Sequence, residues 1–147
     1  MIHWTYKHFN KLTAPELYDI ITLRNMVFVV EQNCVYNDTD KKDKHCWHLC
    51  GFYDNELVAY ARVVPPGISY AEASIGRVVT HPSYRKKGFG IELMNIAVEK
   101  VKYQFNTNSI RISAQSYLIN FYQNLGFAVD GEPYLEDDIP HVAMQYT

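Results

Sequence analysis

Apolar side chains alternate with polar ones, or stand in short aromatic-rich runs, over seven stretches of the chain, and this spacing predicts β-strands. Between the second and third stretches, the polar residues Asp54, Asn55 and Glu56 predict a hairpin turn. Pro82, which lacks a backbone N–H, is expected to stop the fourth strand. The seven stretches are residues 3–9, 45–53, 57–64, 73–80, 109–114, 127–130 and 141–146.

Three further stretches have helical spacing. Thr13, followed by Pro15 and by Glu16 three residues later, is typical of a helix N-terminus. From residue 88 to residue 105 the apolar period becomes about 3.6 residues. Residues 116–125 predict a third helix that ends at Gly126. The apolar face of the second helix would consist of Met94, Ala97, Val98, Val101 and Phe105.

The order of these elements is β-α-βββ-α-β-α-ββ, which predicts an α/β (α+β) domain around a mixed sheet. The chain has 147 residues, of which 48% are hydrophobic, enough for one core. No repeat or linker-like stretch interrupts it, so we expect a single domain over residues 1–147.

Charge and hydropathy exclude several classes of protein. The 14 basic and 16 acidic residues leave a net charge of -2, which argues against a nucleic-acid partner bound through overall charge. The longest apolar run is residues 26–30, far short of the ~20 residues of a membrane span, so no membrane partner is expected. No secretory leader is visible at the amino terminus, and three cysteines form no disulfide framework. We therefore expect a cytoplasmic protein.

Residues 85–90, Arg-Lys-Lys-Gly-Phe-Gly, lie where a predicted strand leads into a predicted helix. A helix N-terminus offers unpaired N–H groups and partial positive charge, and glycine lets the backbone approach a ligand closely. Together with Arg85, Lys86 and Lys87, this turn predicts an anion site suited to phosphate. The six residues alone are equally compatible with a solvated basic turn, and they match neither a P-loop nor a complete dinucleotide fingerprint.

The spacing Arg85-x-x-Gly88-x-Gly90, after residues 78–82 and before an amphipathic helix, resembles the acetyl-CoA signature of the GNAT N-acetyltransferase superfamily. The resemblance implies that this turn, including Phe89, wraps the CoA pyrophosphate. It also implies a mostly antiparallel sheet of about seven strands, splayed at the acetyl-CoA site and flanked by helices. The backbone of Val78, Val79 and Thr80 would then pair with the pantetheine arm.

The later stretch 115–127 resembles a second motif of the same superfamily, with Tyr122 two residues before Asn-Leu-Gly-Phe. The resemblance implies that Tyr122 protonates the departing thiolate, and that Gln115 and Asn120 contact CoA. Gln115 and Leu118 stand where the family often has asparagine and alanine. Over nearly the whole chain the sequence is similar to the ElaA-like branch, which consists of predicted bacterial acetyltransferases without a settled substrate.

The remaining polar residues leave the acceptor side open. Direct acetyl transfer needs a base for the amine, and the candidates are Glu31, His141 or a water. An apolar wall could raise the pKa of Glu31, but this residue is equally compatible with an ion-pair partner at a helix end, for example of Arg24. Arg24 interrupts the apolar stripe of the first helix and either forms a structural ion pair or lines the substrate cleft, with Phe28 and Glu31 beside it.

No metal is expected. Cys46, His48 and Cys50 would share a strand face over about 13 Å, too far apart for ligands that must lie ~2.0–2.3 Å from one ion.

The sequence therefore predicts an acetyl-CoA-dependent N-acetyltransferase acting on a small-molecule or peptide primary amine. One alternative is a non-catalytic acyl-CoA-binding or sensing module, and another is an anion-site protein for an unrelated nucleotide. The oligomeric state is open, with a homodimer as one option. The acetyltransferase hypothesis requires that the strand with Val78 and Val79 diverge from the strand with Ile110 and Ile112, with Tyr122 facing the gap.

Overall fold

Eight strands form two four-stranded sheets in the computed structural model, which describes residues 1–147. In the first sheet the order is β1 (His3–His8), β2 (Trp47–Tyr53), β3 (Glu56–Val64) and β4 (Ser74–Thr80), all antiparallel. The second sheet contains β5 (Ile110–Gln115), β6 (Phe127–Val129), β7 (Tyr134–Glu136) and β8 (Ile139–Tyr146). Strand β8 pairs with the other three, again antiparallel.

The two sheets touch at one end of β4 and separate at the other. Ala73 and Ile110 form an isolated parallel bridge, and the N–H of Arg111 donates to the carbonyl of Ala73 at 3.0 Å. Beyond this bridge β4 and β5 share no ladder. The predicted splay between the strands of Val79 and Ile112 is therefore confirmed, with eight strands instead of about seven.

Three α-helices accompany the sheets: α1 (Ala14–Arg24), α2 (Phe89–Phe105) and α3 (Ile119–Gln123). The capping box expected at Thr13 is present, since the Glu16 N–H donates to the Thr13 hydroxyl and the Thr13 N–H donates to the Glu16 carboxylate. A π-helical segment, Asn25–Glu31, continues α1. The third helix is shorter than expected because a 3₁₀ turn, Ser116–Leu118, occupies its first residues. No helix has both the length and the apolar character needed to cross a membrane.

The main core lies between α2 and the two sheets. The helix contributes Leu93, Met94, Ala97, Val98 and Val101, all buried. This face is the one expected from the apolar period, and burying a side chain of leucine or methionine size stabilises the fold by roughly 1.5–3 kcal/mol. A second cluster packs α1 and the π-helical segment onto β3 and β4.

A buried ionic network ties the loop of residues 33–45 to α1 and the first sheet. Arg24 is 1% exposed, and its guanidinium donates to Asp38 at 2.7 Å and to Asp43 at 2.8 Å. Burial alone would raise the pKa values of Asp40 and Asp43, but the hydrogen bonds and charges of the arginines outweigh it and lower both pKa values. The network consists of Arg24, Arg62, Arg77, Asp38, Asp40 and Asp43.

Replacing Arg24 by methionine is expected to destabilise the fold by about 3–5 kcal/mol, because it leaves buried carboxylates without their partner. Urea unfolding at neutral pH measures the loss. In the wild type, the contribution of Asp40 and Asp43 is complete above about pH 4 and is lost as pH falls through their lowered folded-state pKa values. A stability within 1 kcal/mol of the wild type, as a rough bound, would contradict the structural role of Arg24.

Candidate functional site

A cleft of about 520 Å³ occupies the gap that opens between β4 and β5. The π-helical segment, α3 and the turn between β7 and β8 complete its wall. Ten of the residues singled out by sequence lie along it: Phe28, Glu31, Val78, Val79, Thr80, Arg85, Gly90, Gln115, Tyr122 and His141. Distant parts of the chain are thus brought together around one cavity.

Strand β4 carries a bulge where it borders the cleft. Tyr60 pairs with Val79 and Arg62 with Gly76, so β4 has one residue more than β3 between these pairs. Within this interval Arg77 adopts a left-handed backbone with φ of 51°. Bulges of this kind redirect a strand and gather next to active sites. On the side of β5, the backbone groups that follow the bulge have no strand partner.

The basic turn leads from β4 into α2. Gly88 has φ of 80° and precedes the first residue of α2, a conformation that glycine adopts without strain. The N–H groups of the first turn of α2 therefore point out of the helix without intrahelical acceptors.

Only some residues of the basic turn line the cleft. Arg85 and Gly90 line the cleft, whereas the exposed Lys86, Lys87 and Gly88 lie outside its wall. The Phe89 ring packs against Tyr53, with ring centroids 6.3 Å apart.

Arg85 and Glu31 form a bidentate ion pair across the mouth of the cleft. The two terminal guanidinium nitrogens, Nη1 and Nη2, each donate to one carboxylate oxygen at 2.6 Å. Hydrogen bonding from Arg85 lowers the pKa of Glu31. Of the two alternatives that the sequence left open for Glu31, the structure has the ion pair and not the raised pKa, and the partner is Arg85 instead of Arg24.

Tyr122 is 6% exposed and reaches the cleft from α3. Its ring makes edge contacts with Phe121 and Phe127, at 5.1 and 5.9 Å between centroids. Burial, with a smaller effect of Tyr117, raises the pKa of Tyr122 above its ordinary value. Its hydroxyl therefore keeps its proton at neutral pH, and it has no hydrogen-bond partner in the protein.

His141 is also 6% exposed and lies directly opposite Gln115 in the β5–β8 ladder. Its Nδ1 is 2.7 Å from the carbonyl oxygen of Ile139. Since a carbonyl only accepts, Nδ1 must carry the proton. In the neutral ring the Nε2 lone pair is then available as a base, with the nearest carboxylate oxygen, from Glu136, 3.6 Å away.

Other predicted residues lie elsewhere. Arg24 belongs to the buried ionic network and does not line the cleft, so its assignment as a substrate contact is corrected in favour of the structural ion pair. Asn120 is exposed on α3 and also lies outside the cleft wall. Gln115 lines the cleft but exchanges amide hydrogen bonds with Gln32, at 3.1 and 3.3 Å.

In the Cys46–Cys50 stretch, His48 and Cys46 form hydrogen bonds within the protein. The two ring nitrogens of His48 contact the Tyr60 hydroxyl at 2.6 Å and the Asp43 carbonyl at 3.0 Å. Cys46 donates its thiol proton to the carbonyl of Lys42. No group of three or more histidine, cysteine or acidic side chains is placed to hold a metal ion.

The sequence prediction missed several cleft residues, among them Gln32, Ser113, Tyr117, Glu136 and Asp137. Ser113 alternates with core residues along β5 and has no local signature. The acidic pair could have been noticed, because Glu-Asp-Asp between two strand-like runs is an unusual concentration of charge at a hairpin turn.

A family model for the acetyltransferase (GNAT) domain matches residues 18–147. The chain belongs to the GNAT family. A GNAT domain is expected to open its sheet between the strands that correspond to β4 and β5, and this chain does so.

Relatives support the same assignment along the whole chain. A UPF0039 protein of Schizosaccharomyces pombe is 44% identical over 98% of this chain and 96% of its own length. The crystal structure of Escherichia coli ElaA is 37% identical, covers 100% of both chains and superposes with a TM-score of 0.94. An acyl-CoA N-acyltransferase of Pseudomonas aeruginosa is 38% identical, with full coverage and a TM-score of 0.95. The resemblance to ElaA is confirmed, and the relatives extend beyond bacteria to a yeast.

Proposed function

We propose that this protein transfers the acetyl group of acetyl-CoA directly to a primary amine of a small molecule or peptide. The main support for this proposal is Tyr122, which lines the cleft between the diverging strands β4 and β5. Its hydroxyl is protonated and has no hydrogen-bond partner in the protein. The P. aeruginosa relative is called an acyl-CoA N-acyltransferase, which supports acyl transfer as the reaction class.

The residues present fit acetyl-CoA. The free edge of β4 at Val78–Thr80 offers backbone partners to an amide chain, as an added strand would require. The first N–H groups of α2 and the cations Arg85, Lys86 and Lys87 suit a pyrophosphate at the cleft mouth. When bound, acetyl-CoA supplies an activated thioester for the transfer.

Arg85 must exchange partners in this proposal. It now binds Glu31, but both side chains are about two-fifths exposed, and such surface pairs contribute only ~0–1 kcal/mol. A phosphate group can therefore replace the carboxylate on Arg85. Glu31 would then face the cleft as a free carboxylate. The Glu31–Arg85 ion pair thus links a residue of the proposed CoA-binding turn with a carboxylate that would face the acceptor.

The remaining steps are proton transfers. His141 Nε2 takes one proton from the acceptor ammonium, and the neutral amine attacks the thioester carbonyl. As the new C–N bond forms and the C–S bond breaks, Tyr122 donates its proton to the departing sulfur. The proton left on the amide nitrogen restores Tyr122, and His141 releases its own to solvent. The reaction thus balances as ammonium plus thioester giving amide, free thiol and one proton.

The direct test is an acetyl-CoA turnover screen that reads free thiol against panels of amines and peptides. The variant His141→Gln is expected to lose about 10²–10⁴-fold in kcat with the best acceptor, because it removes the base. The variant Glu31→Gln is expected to stay within roughly tenfold of wild type, because it removes only an exposed ion pair and leaves the proposed base, His141, in place. The reverse ranking of the two variants would make Glu31 the base.

The same screen decides between an enzyme and a non-catalytic acyl-CoA-binding module. Calorimetric binding of acetyl-CoA without turnover of any amine would support the module. Turnover that depends on His141 and Tyr122 would support the enzyme. The three cysteines are free thiols, which supports a cytoplasmic setting for the reaction.

A further inference from the structure

At the acceptor end of the cleft, two hydrogen-bond acceptors face each other without a donor. In the neutral ring, the hydrogen bond to the Ile139 carbonyl places the proton on Nδ1 and leaves a lone pair on Nε2. Glu136 Oε2 lies 3.6 Å from that nitrogen, beyond hydrogen-bond distance. His141 is more than nine-tenths buried and lines the cleft. With the ring neutral, neither atom of this pair has a donor, and an ammonium between them would supply N–H donors to both.

Glu136 is held in place by a short chain of hydrogen bonds. The Ser113 hydroxyl donates to Glu136 Oε1 at 3.2 Å and is itself hydrogen-bonded to the Tyr134 hydroxyl. Since Ser113 has one proton and directs it to the carboxylate, Tyr134 is the donor in the second bond. The Tyr134 ring also stacks on His141, with centroids 6.2 Å apart. The carboxylate and the imidazole are therefore oriented by the same neighbour.

The charges along the cleft leave a surplus of negative charge at this end. In the unbound protein Glu31 and Arg85 neutralise each other, and Arg77 is bound to Asp38. If Arg85 turns to a phosphate, Glu31 adds one more carboxylate to the cleft. The other charged side chains of the lining are the carboxylates of Glu136 and Asp137.

A second cavity, of about 510 Å³, adjoins the first, and the two share both of these carboxylates in their walls. The second cavity also contains Asp40, Lys42, Arg62 and Arg77 in its wall, so the surplus of negative charge is confined to the end of the first cavity, at Glu136 and Asp137.

We propose that Glu136, Asp137 and His141 form a subsite for an acceptor with at least two ammonium groups, such as an aliphatic diamine or an amino sugar. This inference rests on the proposed function and names its substrate class. Glu136 and His141 receive the ammonium that reacts, and Asp137 faces a second cationic group. An amino acid is disfavoured at this end of the first cavity, because its carboxylate would lie against Glu136 and Asp137, and the cations of that cavity, Arg77 and Arg85, are already ion-paired.

The test compares three acceptors of similar length: cadaverine, pentylamine and δ-aminovalerate. For wild type, kcat/KM for cadaverine is expected to exceed that for δ-aminovalerate by at least about tenfold, with pentylamine between them. The variant Glu136→Gln should reduce the ratio of kcat/KM for cadaverine to that for δ-aminovalerate to below about threefold, mainly by raising KM for cadaverine. The variant Asp137→Asn should remove the preference for cadaverine over pentylamine. Affinity for CoA should stay unchanged in both.

Glu132→Gln is the matched control, since it removes an exposed carboxylate from the same region that does not line the cleft. It should leave the relative kcat/KM values for cadaverine, pentylamine and δ-aminovalerate unchanged. If no amine consumes acetyl-CoA, the proposed function fails, and the subsite is then tested by calorimetry with cadaverine and δ-aminovalerate on the CoA-loaded protein. Equal affinities, no binding of cadaverine, or a better reaction with δ-aminovalerate would each overturn the subsite.

Discussion

Replacing Tyr122 by phenylalanine is expected to lower kcat by about 10²–10⁴-fold, the range of general acid–base catalysis, and to leave acetyl-CoA affinity unchanged. The ring of Tyr122 packs against Phe121 and Phe127, and a phenylalanine preserves these contacts. Its hydroxyl has no protein partner, so its removal leaves no buried group unsatisfied. The change therefore affects proton donation to the departing thiolate and little else.

Stopped-flow or steady-state thiol release measures kcat for the Tyr122 variant, and calorimetry with acetyl-CoA measures its affinity. Tyr103→Phe is a suitable control, because Tyr103 is 92% exposed and lies outside the cleft. Full activity of the Tyr122 variant would show that water or another side chain protonates the thiolate. A large loss of acetyl-CoA affinity would instead mean that the hydroxyl serves binding.

Replacing Gly88 by valine is expected to weaken CoA binding by at least about tenfold, which corresponds to ~1.4 kcal/mol. A left-handed backbone is strained for a β-branched residue, at a cost of roughly 1–3 kcal/mol. A Cβ on Gly88 would also project into open space, with no protein atom within 4 Å. In the proposed function a phosphate occupies this space, so the side chain and the ligand would compete for it.

Gly67 separates the two effects of the valine substitution. It also has a left-handed backbone, with φ of 90°, and a Cβ added there would meet open space, but it lies in the connection between β3 and β4 and not in the turn before α2. Gly67→Val should therefore cost stability without changing CoA affinity, as judged by thermal unfolding and calorimetry. If Gly88→Val binds CoA as tightly as the wild type, the turn at the start of α2 is not the phosphate site.

Local features of this fold could be predicted because their causes lie within a few residues of each other. The capping box at Thr13 involves only Glu16, and the buried face of α2 follows from an apolar period within one helix. The glycine turn before α2 could be predicted for the same reason, since backbone freedom and helix-end N–H groups are local properties. The third helix was predicted too long, because nothing local distinguishes its initial 3₁₀ turn from an α-helix.

The hydrogen-bond and ion-pair partners of charged and polar side chains could not be predicted from the sequence, because the tertiary structure decides them. Arg24 and Asp38 are 14 residues apart, and Glu31 and Arg85 are 54 apart. The sequence could state that a buried Arg24 needs a partner but not which carboxylate would supply it. For Glu31 the sequence left the direction of the pKa shift open, because the sign depends on which charge the fold brings near.

The sequence by itself determined the family, the order of strands and helices apart from β7, and the glycine turn before α2, since each follows from short-range spacing and backbone chemistry. Only the tertiary structure decided where the cleft opens and what lies at its acceptor end. Strand β4 leaves β5 after one bridge, and the β7–β8 hairpin brings Glu136 beside His141. Hydrogen-bond geometry and charge balance depend on distances between remote segments, and those distances exist only after the two sheets have packed around α2.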